Sequence, residues 1–147
     1  MGRSILVCGS RTFTNWELMN CTLNEANQRS EVSRVIHGGA AGADRMAGRW
    51  GKLMALDVLE VLPQWGKYGI SAGYKRNITM LDMLEMEMLD EVVAFWDGES
   101  RGTKHTIENA NHRELEITVV LYDPDGDEAE AWVKKGTQLK LDLGGPR

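Results

Sequence analysis

The sequence predicts a doubly wound α/β sandwich, in which helices cover both faces of a mainly parallel sheet. Five short apolar runs are rich in β-branched residues, which is typical of strands buried on both faces of such a sheet. Segments with helical patterning separate these runs. Because strand and helix alternate strictly, the chain is expected to consist of right-handed βαβ units.

The elements follow from these patterns in chain order. The predicted strands are residues 4–9, 34–39, 57–63, 91–97 and 116–123, and the predicted helices are residues 14–29, 41–54, 73–89 and 103–113. Thr14 or Asn15 is expected to cap the first helix. The helix over 73–89 is rich in methionine and is expected to pack in the core, with a subunit contact as the alternative. The common strand order 3-2-1-4-5 is expected for the sheet.

A length of 147 residues suits one domain with a short extension. The composition changes after Asp123, where the segment 123–136, "DPDGDEAEAWVKKG", predicts a turn and a short helix with acidic residues early and lysines late. The segment 137–143, "TQLKLDL", alternates as an edge strand does. We therefore predict a domain over residues 1–122 and a C-terminal extension over 123–147.

Composition narrows the class of protein. Apolar residues make up 42% of the chain and charged residues 27%, and no apolar run approaches the ~20 residues of a membrane span, so a cytoplasmic protein with no membrane contact is expected. The net charge of −5 argues against general binding to a nucleic-acid backbone. Cys8 and Cys21 are expected to be reduced. With no metal-ligand spacing among Cys and His, no metal is expected.

Ligands of doubly wound sheets bind outside the carboxyl ends of the strands, where the winding direction reverses. For the order 3-2-1-4-5 this crevice lies between strands 1 and 4. The loops at residues 9–13 and 97–103 should therefore face each other, with the loop at 37–44 beside them. The sequence predicts a single pocket formed by these three loops.

The three loops are rich in residue types that bind phosphate or ribose. Glycines allow tight turns and close backbone approach, hydroxyls and guanidinium groups donate to phosphate oxygens, and helix N-termini attract anions. The predicted binding residues are Gly9, Ser10, Arg11, Gly38, Gly39, Gly42, Asp44, Gly98, Ser100, Arg101, Gly102 and Thr103. Plain turns, helix caps such as Ser10 and Thr103, and solvated arginines are the alternative interpretation of the same residues.

The connection over residues 63–77 adds a fourth element, "PQWGKYGISAGYKRN". Trp65 and Tyr68 are candidates for stacking on a base or for covering the sheet edge, the latter being preferred for Tyr68. Arg76 and Asn77 form a donor pair near a helix N-terminus beside the same crevice, and a binding role is expected for both.

These motifs resemble a known family. In order and spacing, "CGSRTF", "HGGAAGAD", "W…AGYKRN" and "FWDGESRGTKHTI" are similar to the YspA-like (cpYpsA-related) branch of the SLOG superfamily, which is common in bacteria and phages. The superfamily includes the LOG-type phosphoribohydrolases and the DNA-processing protein DprA. The resemblance covers about residues 4–121. It implies a Rossmann-like fold that binds a nucleotide-derived ligand, with ADP-ribose-like and cyclic nucleotides among the candidates.

The resemblance also bears on catalysis. LOG enzymes use a GGGxxGxM loop and a PGGxGTxxE loop, whose glutamate supports cleavage of the N-glycosidic bond through a cationic transition state. Here the glutamate position is Thr106. Asp44, Asp97, Glu99 and Glu108 are the carboxylates that remain as substitutes, with Asp44 best placed. His105 is a further candidate as acid, base or phosphate ligand, and a structural histidine is the alternative.

Three functions are therefore compared. The preferred one is a nucleotide-binding pocket acting as a sensor, a sequestering protein or an N-glycosidic hydrolase, with phosphate at Arg11 or Arg101, ribose near Asp44 and the base by Trp65 or Trp96. The alternative is a DprA-like protein that binds single-stranded DNA, against which the acidic balance counts. A structural protein with a vestigial pocket is the third. No cofactor is expected, and homo-oligomers are expected by analogy with relatives.

Overall fold

The computed structural model describes residues 2–125, 132–137 and 139, and it contains one six-stranded sheet. The strands are β1 Arg3–Gly9, β2 Val32–His37, β3 Asp57–Glu60, β4 Glu91–Trp96, β5 Glu116–Leu121 and β6 Trp132–Gly136. Their spatial order is β3-β2-β1-β4-β5-β6, and the first five strands are parallel while β6 runs antiparallel to β5. The predicted order of the five parallel strands is confirmed.

Helices connect the strands as the alternation predicts. They are α1 Trp16–Arg29, α2 Ala43–Leu53, the single-turn α3 Trp65–Tyr68, α4 Ala72–Asp82 and α5 Arg101–His112, with 3₁₀ turns at Gly69–Ser71 and Met86–Met88. Asn15 caps α1, because its side-chain oxygen accepts a hydrogen bond from the Leu18 N–H at 3.0 Å. Of the two caps considered, Asn15 is therefore the one used.

Both faces of the sheet are buried, as near-continuous apolar strands require. Ile5 and Val7 of β1 pack with α1 and α2 on one face, and Leu6 and Cys8 pack with α4 and α5 on the other. All four side chains are buried. The molecule is thus a Rossmann-like, doubly wound sandwich with two apolar layers, and the predicted fold class is confirmed.

The methionine-rich helix is shorter than predicted. α4 ends at Asp82, and a 3₁₀ turn and a left-handed Leu89 (φ 61°) follow before β4. The Asp90 carboxylate ends the segment, because it accepts the N–H groups of both Ser4 and Glu85. The bond from Ser4 is long-range, so a tertiary contact helps to hold this segment against its local helix propensity. Met80 is buried as expected, whereas Met83, Met86 and Met88 are exposed, so the core assignment is wrong for those three.

The C-terminal extension also differs from the prediction. Residues 132–136 form β6, paired with β5, and not the end of the predicted short helix. Residues 126–131 of that helix lie outside the described residues. Of the predicted strand 137–143, the structure describes residues 137 and 139, and neither belongs to a strand. The division at residue 122 stays a prediction, although β6 joins the same sheet.

A buried ion pair connects the amino ends of the two central strands. Glu91, at the start of β4, is fully buried and lies 2.7 Å from the Arg3 guanidinium and 3.5 Å from that of Arg29. The Thr118 hydroxyl donates to its second oxygen at 3.2 Å. Arg3 also donates to three main-chain carbonyls, so both charges are satisfied by hydrogen bonds.

Among the described helices, none has the length and apolar character needed to cross a membrane.

Candidate functional site

A cavity of about 460 Å³ opens at the carboxyl ends of β1 and β4. This is the edge at which the strand order reverses and at which the sequence predicts a pocket. Nine of the predicted site residues line the cavity: Gly9, Ser10, Arg11, Asp44, Arg76, Asn77, Ser100, Gly102 and Thr103. The three loops therefore meet in one place.

Ser10 fastens the loop after β1 to the loop after β4. Its N–H donates to the Phe95 carbonyl at 2.9 Å, and its hydroxyl oxygen accepts the Asp97 N–H at 3.2 Å. Tyr122 lies on the outer side, where its hydroxyl is 2.9 Å from that of Thr12. The two central loops thus form one unit held by hydrogen bonds.

Glycine allows the start of α2 to pack against this unit. Gly42 has φ 81°, and a Cβ there would lie 2.5 Å from the Ser10 carbonyl oxygen. A Cβ at Gly9 would lie 2.5 Å from both the Phe95 carbonyl oxygen and the Ala43 side chain. Both positions therefore require glycine. Closely approaching backbone thus joins the start of α2 to the two central loops of the cavity.

The loop after β2 holds Arg76 of α4. The Arg76 guanidinium occupies the space that a side chain at Gly38 would need, and it donates to the Gly38 carbonyl. Its Nε donates to the Asn77 side-chain oxygen at 3.0 Å. Gly38, Gly39 and Gly42 are not among the lining residues, so their role in the structure is to shape the loop that contacts Arg76 and leads to Asp44.

The start of α5 closes the opposite side of the cavity. Ser100 caps the helix, since its hydroxyl accepts the Thr103 N–H at 3.5 Å, so the expectation that Thr103 is the cap is wrong. The Asp97 carboxylate fixes the preceding turn by accepting the N–H groups of Glu99 and Ser100 at 2.9 and 2.8 Å. The Thr103 hydroxyl, 3.1 Å from that of Ser100, lines the cavity instead.

Asp44 is the most perturbed acid of the cavity. Its side chain is 5% exposed, and one oxygen accepts the Ala40 N–H at 3.2 Å. Burial raises its pKa from 3.8 to about 6, while the Ala40 hydrogen bond and the nearby Arg76 charge oppose that rise. Burial likewise lowers the pKa of Arg76, and the charge of Asp44 opposes that change. A carboxyl group whose pKa is raised toward neutral pH is typical of functional sites.

Several predicted residues lie away from the cavity. Arg101 is exposed at the first position of α5, and neither it nor Gly98 lines the cavity. His105 packs against the Tyr74 ring with centroids 4.5 Å apart, and Glu108 is exposed, 3.5 Å from Lys104. Neither His105 nor Glu108 is a lining residue. Of the three tentative catalytic residues, only Asp44 lies in the cavity.

The open side of the cavity was only partly anticipated. Trp65 was considered for stacking, but Ile70, Gly73, Tyr74 and Met80 also line the cavity, together with Cys8, Thr12 and Ala40. The signal for Ile70 and Tyr74 was their position in the connection that carries Trp65 and Arg76. Within the described part of the chain, no group of three His, Cys, Asp or Glu residues could hold a metal ion.

Comparisons with known proteins identify the family of the chain. The model of the YspA, cpYpsA-related SLOG family matches residues 3–68, which include the loops after β1 and β2 and also Trp65. The Gene 61 protein of Mycobacterium phage D29 is 34% identical over 114 residues, covering 74% of this chain and 88% of the phage protein. The similarity to the phage protein thus extends well beyond the part of the chain that the family model matches.

Proposed function

Because the chain belongs to the YspA, cpYpsA-related SLOG family, which suggests a nucleotide-related ligand, we propose that the cavity at the carboxyl ends of β1 and β4 binds a nucleotide-derived molecule. One observation carries the proposal: three loops distant in sequence surround one cavity with guanidinium groups, hydroxyls, a buried carboxyl and a helix N-terminus. Phosphate- and ribose-containing ligands use this combination of groups.

The phosphate is assigned to the side of the cavity formed by α5 and Arg11. The N-terminus of this 12-residue helix carries a partial positive charge, and the hydroxyls of Ser100 and Thr103 lie beside it. Arg11 is an exposed lining residue, so its guanidinium is free to turn toward an anion. Arg76, whose guanidinium donates to the Gly38 carbonyl, adds a second positive charge to the cavity.

The ribose is assigned to Asp44. A carboxylate accepts hydrogen bonds from sugar hydroxyls, and Asp44 lies next to Arg76 at the beginning of α2. With a pKa of about 6, Asp44 is mostly ionised at neutral pH and still exchanges a proton readily. It therefore suits both recognition of a hydroxyl and acid–base chemistry.

The same residues bear on whether the ligand is cleaved. At the position of the LOG glutamate, the Thr106 hydroxyl donates to the Gly102 carbonyl of its own helix at 3.2 Å. Among the described lining residues, the carboxylates are Asp44 and Asp97, and one oxygen of Asp97 already accepts two main-chain N–H groups. Hydrolysis of an N-glycosidic bond would therefore depend on Asp44 as the stabilising carboxylate.

Thermal unfolding with AMP, ADP-ribose and cyclic nucleotides tests the binding site. We expect at least one of these to raise the melting temperature, and Arg11→Ala to weaken its binding by about 10- to 100-fold because a charged hydrogen bond to phosphate is lost. Arg34→Ala is the matched control. It removes the same charge from an exposed pair with Asp57 at the other end of the strands, and it should leave binding unchanged.

Arg101→Ala refines the assignment. The sequence predicts a phosphate ligand at this position, whereas the exposed location outside the lining favours a smaller loss than at Arg11. The absence of any shift with the whole nucleotide series would contradict the proposal. Steeply salt-dependent binding of oligonucleotides would support the DNA-binding alternative instead. Chromatographic detection of free base, absent in Asp44→Asn, would show hydrolysis as well as binding.

A further inference from the structure

Three large side chains form an apolar rim at the open side of the cavity. Trp65, Ile70 and Tyr74 all line it and remain 55%, 97% and 42% exposed. Apolar side chains grouped at the mouth of a polar cavity are a recurrent sign of a binding surface. The cavity thus has two unlike parts, a polar floor and this rim.

The two aromatic rings of the rim are held in place by packing. The Trp65 indole lies beside α4, with its Cη2 atom 3.7 Å from where a Cβ at Gly73 would be. The Tyr74 ring packs against His105, with the ring centroids 4.5 Å apart. Each ring therefore has a supported side, while a large fraction of its surface faces solvent. Such supported rings lose little conformational freedom when they stack on a ligand.

The other candidate aromatics are unsuited to this role. Trp96 is 1% exposed, and its indole N–H donates to the Ser100 carbonyl, so the ring belongs to the core. Tyr68 lies outside the lining of the cavity and has the ammonium groups of Lys67 and Lys75 at 5.1 and 4.7 Å from its ring. Of the aromatic residues that the sequence suggested for contact with a base, Trp65 is therefore the one that is both exposed and part of the cavity lining.

Resting on the proposed function, we propose that the ligand carries an aromatic base beyond its ribose phosphate and that this base stacks on Trp65, beside Ile70 and Tyr74. The rim offers mainly ring faces and aliphatic surface, and every base has a face for stacking. Binding then depends on the area of the ring more than on its hydrogen-bonding edge. The ligand class is purine nucleotides, with similar affinity for adenine and guanine.

Calorimetry with AMP, GMP and ribose 5-phosphate tests this assignment. The wild-type protein is expected to bind AMP and GMP similarly and ribose 5-phosphate more weakly. Trp65→Ala should weaken AMP binding by about 5- to 150-fold, the range found at stacking aromatics, and leave ribose 5-phosphate unchanged. Trp65→Phe should retain most of the AMP affinity. Tyr68→Ala, which removes a ring from the same helical turn, should change neither ligand.

A fluorescence measurement gives an independent readout. Stacking of AMP on the half-exposed Trp65 should quench its indole emission, and Trp65→Phe separates this signal from that of the other tryptophans. The quenching should disappear in Trp65→Phe while calorimetric binding persists. Because Trp65 is exposed, its variants are expected to fold, and Trp65→Leu keeps the apolar bulk without the ring should Trp65→Ala lose stability.

The outcomes separate the two proposals. Equal affinity of wild-type protein for AMP and ribose 5-phosphate would overturn the stacking assignment alone. A parallel loss of both ligands in Trp65→Leu would do the same. If neither AMP, GMP nor ribose 5-phosphate binds the wild-type protein, the assignment to purine nucleotides fails, and if ADP-ribose and the cyclic nucleotides also give no thermal shift, the assignment of the cavity to nucleotides fails with it.

Discussion

The two ends of the parallel sheet each bury a carboxyl group, and they do so in opposite ways. At the amino ends of the strands, Glu91 is enclosed by Arg3, Arg29 and Thr118, so its charge is neutralised within the protein. At the carboxyl ends, Asp44 lines a cavity, accepts the Ala40 N–H, and has its pKa raised to about 6 by burial. The two carboxyl groups are similarly buried, but Glu91 has two arginines as charged partners close by, whereas Asp44 has a main-chain N–H and an open cavity.

With the proposed function, the difference separates a structural from a ligand-binding use of a buried charge. A carboxylate with a complete set of partners has no capacity left for a ligand, and its removal exposes an uncompensated charge. A carboxyl group with a raised pKa and an open side retains both a free acceptor and a proton equilibrium. Burial alone would not distinguish Glu91 from Asp44, whereas the number and kind of their partners does.

The largest effect is expected at the amino end. Glu91→Leu and Arg3→Met should each destabilise the protein by about 3–5 kcal/mol, because each removes the closest charged partner of a buried charge. The double variant should lose much less than the sum of the two. Urea denaturation of all four proteins measures this cycle. Arg34→Ala, in the exposed pair with Asp57, should cost less than about 1 kcal/mol.

A cycle in which the losses at Arg3 and Glu91 simply add would contradict the comparison. It would mean that Arg3 and Glu91 do not stabilise each other's charge. The carboxylate at the amino end of the sheet would then be no better compensated than Asp44 in the cavity. The exposed Arg34–Asp57 pair gives the reference value, because it is also an arginine–carboxylate pair but is surrounded by water.

An effect of the opposite sign is expected at Asp44. Its pKa is higher in the folded protein than the ordinary 3.8, so the folded state binds more protons between about pH 4 and pH 6. Wild-type stability should therefore fall as the pH rises through that window, by about 3 kcal/mol for a shift of two units. Asp44→Asn lacks this loss and should be more stable than wild type at pH 7.5.

Urea denaturation of wild type and Asp44→Asn from pH 4 to pH 7.5 checks this prediction. The stabilities of the two proteins should converge near pH 4, where both side chains are neutral, which serves as an internal control. Curves that stay parallel over the whole range would show that Asp44 is compensated as fully as Glu91, and the contrast between the two ends would disappear.

The smallest of the three effects is expected at Gly42. Alanine there has an unfavourable φ of 81° and a Cβ 2.5 Å from the Ser10 carbonyl oxygen, so we expect a loss of about 1–3 kcal/mol. Thermal unfolding checks the stability, and nucleotide binding should weaken because the loop after β1 must shift. Gly66→Ala is the matched control, with no atom within 4 Å of the added Cβ, and should change stability by less than about 1 kcal/mol.

The fold and the position of the cavity could be predicted from sequence because both depend on the alternation of elements. Parallel strands place their carboxyl ends at one edge, so the loops containing Ser10, Asp44 and Ser100 had to converge. Which side chains of each loop line the cavity was harder to predict from the sequence. Arg101 illustrates this, since α5 begins at Arg101 after the Ser100 cap, and that start places the side chain outside the cavity lining.

Tertiary contacts account for the remaining differences. Residues 83–89 have helical composition, but hydrogen bonds from Ser4 and Glu85 to Asp90 end the helix early. The segment 132–136 carries the lysines expected of a helix end, yet it pairs with β5. Pairing with a distant strand and the hydrogen bond from the distant Ser4 to Asp90 depend on the assembled fold, and local sequence patterns do not contain them.

The division of the cavity into a backbone floor and a side-chain rim has a consequence for how ligand preference can change. At Gly9, which lines the cavity, and at Gly42 in the adjoining loop, any side chain collides with main-chain atoms, so the floor and its support tolerate little variation. Trp65, Ile70 and Tyr74 project from a connection outside the sheet, and exchanging them disturbs no strand. With the proposed function, replacing the rim would change which ligand binds, while the polar groups beneath it would stay the same.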